Sequence, residues 1–312
     1  MNRLFAGLSI LLTAAFAAAM PLFVYGTTLA AFGLAHVLTE LRYVDGRFGP
    51  RVGRRLRLWL GALLLAVVLS RVGRIAGWLQ GDWVTAMELG FVLALGAGAL
   101  PALRGAGPLA WLVALTALGG LAAGLIVSPL AAIMTRAVLH NWTPLGFIAE
   151  ALRGAERRRA MAIGALVFGL VPALLASGLP TRALDSAGLY FPDLSLLSTG
   201  PLAKNLHVYV PKAWHDGALA APLFSAVVYA QCMHYAAVLH VLPALDGQTR
   251  TGPLSGLRPG VFFGGVLALG TLLLFGFTQD FGQARSVYGV AAAVHAWVEV
   301  PLLILALAPR RA

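Results

Sequence analysis

Long apolar runs, each of about 18 residues or more, recur along the whole chain, separated by short arginine-rich or glycine- and proline-containing breaks. At 1.5 Å per helical residue such a run crosses the ~30 Å hydrocarbon core of a bilayer. The pattern predicts eight spans, at about 57–79, 84–102, 108–126, 128–152, 160–178, 218–244, 261–278 and 286–308. A further apolar stretch, 4–38, precedes them; it is too long for one ordinary span and short for two. Pro21 and the patch Tyr25-Gly26-Thr27-Thr28 predict a break inside it. The expected fold class is therefore all-α, a polytopic transmembrane helical bundle of about 8–10 spans. No domain boundary interrupts it, so 1–312 reads as a single integral membrane domain. The one long polar connection, 179–217, carries Tyr190, Phe191, Tyr209 and Trp214 and is predicted to lie on the outer interface as a short amphipathic cover. His207 and His215 within it read as surface histidines.

Composition agrees with this pattern. The chain is 59% hydrophobic and only 11% charged, where a soluble domain carries about 25% charged residues. At the N-terminus, Asn2-Arg3, an apolar run and then Ala17-Ala18-Ala19 also resemble a secretory signal with its cleavage site. A retained first helix fits a polytopic protein better.

The arginines set an expected orientation. Placing the end of the His36 segment in the cytoplasm puts Arg42, Arg47, Arg51, Arg54, Arg55, Arg104, Arg153, Arg157, Arg158, Arg159, Arg250, Arg258, Arg310 and Arg311 on that side. Only Arg182, Lys204, Lys212 and Arg285 then face the other way, as the positive-inside rule requires. The net charge of +11 is accounted for by topology and by attraction to anionic lipid headgroups. No basic run is interleaved with aromatics, so the charge points to the bilayer as partner and to no nucleic acid. The expected location is a bacterial-type inner membrane.

Against this apolar background the ionisable residues stand out, because burying one in hydrocarbon costs roughly 2.5–3.5 kcal/mol on insertion scales. His36 and Glu40, and again His295 and Glu299, are spaced i, i+4 and so share a helix face. His140, His234 and His240 occupy other apolar runs. With the predicted helix ends, His36 and His240 lie about 8 Å from the cytoplasmic end and His140, His234 and His295 about 15–20 Å from it. Glu40 then falls at the interface. His234 and His240 are six apart and do not share a face unless their helix is distorted. Pro144, Pro243 and Pro301, each shortly after a polar candidate, predict such distortion. Imidazole with carboxylate suits iron, zinc, manganese or copper. The lone cysteine, Cys232, excludes an intramolecular disulfide and a thiolate cage. Glu88 is expected to pair with Arg71, Arg74 or Arg136 as a structural ion pair. Gly120-x-x-x-Gly124 and Gly260-x-x-x-Gly264 have the spacing of close helix packing.

Two short segments resemble known families. Gly33-Leu34-Ala35-His36-Val37-Leu38-Thr39-Glu40 is similar to the Gly-Leu-Pro-His-Gly-x-x-Asp segment of the Brp/Blh membrane carotene dioxygenases, with Ala35 in place of the proline and Glu40 in place of the aspartate. His140-Asn141-Trp142 and the His234-Tyr235 to His240 segment look loosely like later histidine segments of that family. The resemblance implies a polytopic protein in which intramembrane histidines hold iron and a lipophilic substrate is oxidised. His140-Asn141-Trp142-Thr143-Pro144 also resembles the His-Asn-x-x-Asp motif of ZIP-type metal transporters, with Pro144 where the aspartate stands.

The sequence thus predicts a membrane-embedded metal-dependent oxidoreductase or oxygenase, its metal a transition ion with iron favoured. His36, His140, His240 and His295 are the foremost candidate ligands, with His234 next. Glu299 and Glu40 are expected to be ligands or ring-orienting partners, and Asn141 to orient a bound water or oxygen species. A divalent-metal transporter and a haem-binding membrane protein are the alternatives.

Overall fold

The computed structural model describes residues 3–245 and 252–309. Arg250, Arg310 and Arg311 lie outside the described residues. The protein is an all-helical bundle. Helix α1 spans Arg3–Ala19 and α2 Pro21–Phe48. Pro21 opens α2, since proline is preorganised for a first helical turn that needs no N–H. The Tyr25-Gly26-Thr27-Thr28 patch does not break the helix: the Thr28 hydroxyl donates to the Val24 carbonyl at 2.7 Å, within one turn. Helices α3 (Arg54–Ile75), α4 (Asp82–Ala99) and α5 (Pro108–Val127) follow.

The expected span 128–152 is not one helix. It divides into α6 (Pro129–His140) and α7 (Thr143–Ala151), broken at Asn141-Trp142. Pro144 cannot offer a backbone N–H to the His140 carbonyl one turn earlier. The Thr143 hydroxyl lies 2.8 Å from that carbonyl in its stead. Asn141 donates its side-chain amide to the Ala137 and Val138 carbonyls at 3.3 and 3.1 Å, capping α6.

Next come α8 (Gly154–Ala165) and α9 (Val171–Ala176), joined through a π-turn at 166–170, then α10 (Leu179–Ser186) and the one-turn α11 (Leu202–Asn205). Helix α12 (Ala220–Ala236) continues through a second π-turn at 237–241 into α13 (Leu242–Leu245). Helices α14 (Pro259–Gln279) and α15 (Phe281–Leu307) complete the bundle. Asp280 caps α15 by accepting from the Gln283 N–H at 2.9 Å.

Among the described residues, eight helical segments are long and apolar enough to cross a membrane: Pro21–Arg51, Arg54–Ile75, Asp82–Leu103, Pro108–Val127, Gly154–Ala176, Ala220–Leu245, Pro259–Gln279 and Phe281–Leu307. Helices α2, α12 and α15 are central. Helix α2 packs on α12, α14 and α15, and α15 also packs on α3, α4 and α7. The peripheral helices turn large apolar side chains outward; Ile126 is 83% exposed and Leu267 72%. An outward apolar surface of this extent belongs against lipid rather than water. Ala17 and Ala18 of α1 are buried beside Val167, Phe168 and Ala226. The 179–217 connection covers one end of the bundle, where Leu202, Leu206 and Val210 bury against Tyr25 and Phe224.

Arginines crowd the opposite end. Arg47 donates to Glu150 at 2.9 Å, and Arg51 donates to Glu150 and to the Leu305 carbonyl, at 3.3 and 2.5 Å. Asp45 accepts from the N–H groups of Leu254 and Ser255 at 2.9 and 2.8 Å, which holds the segment before α14 on α2.

Of the small-residue spacings, only Gly124 makes a close helix contact. A Cβ added there would stand 2.5 Å from the Ala132 Cβ, whereas Gly120, Gly260 and Gly264 face open space. Gly124→Ala is therefore expected to push α5 off α6 and cost about 1–3 kcal/mol. Gly120→Ala, one turn away, is expected to stay within about 0.5 kcal/mol of the unaltered protein. Thermal unfolding of the two variants in detergent checks the contrast.

Candidate metal centre

Four of the histidines come together from four helices. His36 lies on α2, His140 ends α6, His234 is on α12 and His295 on α15. His36, His234 and His295 all sit about 21–22 Å into their helices, at a common level midway along the bundle. The 8 Å depth expected for His36 came from ending its helix near Glu40; α2 instead runs on to Phe48. Glu40 is consequently not interfacial but 1% exposed.

The rings form a quadrilateral. Centroids are 5.3 Å apart for His36 and His234, 4.5 Å for His234 and His140, 4.6 Å for His140 and His295, and 4.9 Å for His295 and His36. One nitrogen from each ring lies within 4.8 Å of one from every other. Opposed ligands bonded at about 2.0–2.1 Å to one ion lie about 4.2 Å apart at most. Side-chain adjustments of a few tenths of an ångström close that gap, so the group could hold a metal ion.

The outer edges of three rings show which nitrogen is free. His36 Nδ1 is 3.4 Å from the Phe32 carbonyl, His295 Nδ1 is 2.8 Å from the Ala292 carbonyl, and His140 Nδ1 is 2.7 Å from Glu299 Oε2. A carbonyl or carboxylate oxygen accepts only, so each Nδ1 carries the proton and each Nε2 keeps its lone pair for the interior. A carbonyl or carboxylate behind each imidazole is the usual support of a metal-binding histidine.

The interior is under-satisfied. Both ring nitrogens of His234, Nε2 of His295 and both oxygens of Glu40 are buried without a hydrogen-bond partner. Glu40 Oε2 stands 3.5 Å from His234 Nε2 and 3.9 Å from His295 Nε2. Buried polar atoms are normally paired, at a cost of roughly 1–3 kcal/mol each when they are not. Here Glu40 Oε2, His234 Nε2 and His295 Nε2 face one another. Glu40, His295 and Glu299 also bring two carboxylates within 4.8 Å of each other, with Arg136 the cation beside them. A divalent cation would offset the negative charge and give Glu40, His234 and His295 a common partner.

Glu299 is a structural hub. It accepts from Arg136 Nη2 at 3.0 Å and from His140 Nδ1, while its Oε1 lies 2.7 Å from the Thr143 hydroxyl. Arg136 also donates to the Ala296 carbonyl at 2.5 Å. The two i, i+4 pairs therefore act across helices rather than within them: Glu299 holds His140, and Glu40 faces His234 and His295.

Two other expected roles change. His240 is exposed and outside the group: six residues on from His234 it lies off that residue's face, and the π-turn at 237–241 does not bring it back. The order of preference between these two histidines is thus reversed. Asn141 is buried but spends its amide on the end of α6. Glu88 pairs with Arg71 at 2.9 and 2.5 Å and accepts from Trp297 Nε1 at 2.7 Å. Tyr235 was not singled out in the sequence; it stacks on His36 with centroids 4.0 Å apart.

A cavity of about 290 Å³ reaches the centre. His36, His140 and His295 line it together with Tyr235 and Tyr288, and Val208 and Tyr209 of the 179–217 cover and Arg285 of α15 also line it. Tyr209 donates to Gln231 Oε1, and Gln231 in turn donates to the Tyr235 hydroxyl at 3.0 Å. Burial, with Tyr25 and Tyr288 adding to it, holds the Tyr209 phenol well above its ordinary pKa, so it remains a donor. A second, larger cleft of about 660 Å³ lies between α5, α6 and α15; it is mostly apolar, with Thr116, Ser128, Thr135, Arg136 and Thr143 as its polar residues.

Compared with known proteins, the chain matches no family model, and no curated protein or solved structure is significantly similar to it.

Glu299→Gln is expected to destabilise the fold by about 3–5 kcal/mol, because Arg136 is left buried without its counter-charge. Arg136→Met combined with Glu299→Leu is expected to recover most of that loss. Unfolding midpoints of the single and double variants measure it.

Proposed function

We propose that this protein is a membrane-embedded, metal-dependent oxygenase or oxidoreductase, with iron as its metal and a lipophilic molecule as its substrate. One observation carries the reading: Nε2 lone pairs of buried histidines converge with an unpaired carboxylate, each of three rings backed by an acceptor at Nδ1. Four imidazoles and a carboxylate without thiolate form a donor set for iron, zinc, manganese or copper. Cys232 stays apart, its sulfur 3.8 Å from the Thr28 hydroxyl. Iron in such a set supplies dioxygen activation when bound.

The chain's own residues divide the remaining work. His36, His140, His234 and His295 would hold the ion, with Glu40 as the carboxylate ligand. Glu299 fixes the His140 ring, and Arg136 and Thr143 fix Glu299. The cavity admits substrate to the His36, His140 and His295 face, and the surrounding apolar helices keep bulk water away. The similarity of Gly33–Glu40 to the carotene dioxygenase segment supports the same reading. Arginine-rich helix ends such as Arg47, Arg51, Arg153 and Arg157 are assigned to the cytoplasmic side of a bacterial-type inner membrane.

The alternatives fit less well. Ring centroids 4.5–5.3 Å apart around the quadrilateral leave no room for a porphyrin between the histidines. A conduit needs polar groups on both sides of the centre. Beyond Glu40, Val44, Phe48 and Phe147 pack into an apolar cluster instead.

The test is metal analysis with an optical spectrum on protein purified in detergent. About one iron per chain and no Soret band are expected. His36→Ala, His140→Ala and His295→Ala are each expected to lower metal affinity at least tenfold, and His240→Ala to leave it unchanged. Protein that binds no transition metal under any loading condition, or a Soret band, overturns the reading.

A further inference from the structure

The cavity above the histidines is polarised. Three arginines line it. Arg71 is matched by Glu88 and Arg136 by Glu299. Arg285 has no carboxylate partner among the described residues; its Nη2 lies 3.5 Å from His207 Nε2. His207 Nδ1 is 2.7 Å from the Lys204 carbonyl, so that Nε2 is a neutral acceptor and leaves the guanidinium charge uncompensated.

Arg285 and the centre lie on one stripe of α15. Arg285, Tyr288, Gly289, Ala292, His295 and Ala296 recur at three- and four-residue steps, and all six line the cavity. Ten residues separate Arg285 from His295, about 15 Å along the helix axis. Between the two ends Tyr25, Leu29, Tyr288, Ala292 and Ala293 give the wall an aromatic and aliphatic side, while Gln231 and the Glu88-paired Arg71, which donates to the Gly289 carbonyl at 3.1 Å, make the rest of it polar.

We propose that this cavity takes a straight-chain amphiphile bearing a single oxyanion, carboxylate or phosphate, with the anion on Arg285 and the chain directed at the histidine centre. The proposal rests on the reading of that centre as the place of reaction, and it narrows the substrate class from lipophilic to anionic amphiphile. Guanidinium suits this task because its fork bonds carboxylate or phosphate in a bidentate way. Small side chains on α15, at Gly289, Ala292 and Ala296, leave the channel open for a chain. The 660 Å³ apolar cleft is a poorer route, since it stops at Arg136 and Thr143, which are committed to Glu299.

Equilibrium binding of radiolabelled dodecanoate to the full-length protein in lipid nanodiscs, corrected with empty nanodiscs, tests this. One saturable site per chain is expected, with affinity at least tenfold lower in Arg285→Gln and retained in Arg285→Lys. Dodecanol, the uncharged counterpart, is expected to bind at least tenfold more weakly than dodecanoate to the unaltered protein. Dodecyl phosphate is the second arm: Arg285-dependent binding tighter than that of dodecanoate assigns the site to a phosphate headgroup, and weaker binding assigns it to a carboxylate. The proposal is overturned if folded Arg285→Gln binds dodecanoate as tightly as the unaltered protein, or if dodecanol binds as tightly as dodecanoate. The second comparison needs no variant and stands even if Arg285→Gln does not fold. His234→Ala, which removes a proposed ligand that does not line the cavity, is expected to lose metal yet keep Arg285-dependent dodecanoate binding, which separates failure of the metal reading from failure of this one.

Discussion

Glu299 sits fully buried in the middle of an apolar bundle, and what surrounds it determines how four helices meet. A carboxylate in such a place is tolerated only when its lone pairs are met and its charge is balanced. Arg136 and His140 on α6 and Thr143 at the start of α7 do both for a residue on α15. The same contacts require α6 to stop where it does. The break at Asn141-Trp142 lets His140 and Thr143 approach one carboxylate from consecutive helices. Pro144 enforces the break, and the Asn141 amide satisfies the Ala137 and Val138 carbonyls at the end of α6. With α6 and α15 locked, His140 and His295 stand 4.6 Å apart, and α2 and α12 pack their own histidines into the remaining sides.

Satisfaction is complete around Glu299 and incomplete around Glu40. Glu299 is held by Arg136, His140 and Thr143, whereas Glu40, His234 and His295 face one another with no hydrogen bond made. Those two carboxylates lie close together yet differ in this one respect. A carboxylate whose partners are all fixed serves to position; one that faces only lone pairs serves to bind. That asymmetry is the physical ground for assigning Glu299 to the orientation of His140 and Glu40 to the metal.

Much of this was legible in the sequence because hydrocarbon makes ionisable residues conspicuous. The apolar periodicity marked the all-helical bundle and the break at Pro21, and the rarity of charge marked six of the residues now found together. Other features had no sequence signal. The six-residue spacing put His234 and His240 on different faces but did not show which face turns inward, and no residue pattern announces the π-turn at 237–241. The i, i+4 spacing of His36 with Glu40 and of His295 with Glu299 showed that each pair shares a face. It could not show that each glutamate would serve a histidine on another helix. Pro144 was visible, but its effect was a full break rather than a kink. Arg285 resembled any interfacial arginine until its stripe on α15 placed it in the same cavity as His295.

The account stands or falls on whether the histidines share one ion. X-ray absorption at the metal edge of protein isolated from membranes measures this directly. Three or four imidazole nitrogens at about 2.0–2.2 Å, with the multiple scattering of rigid rings and no sulfur shell, are the predicted result. A shell of water oxygens alone, or a sulfur scatterer, would contradict it.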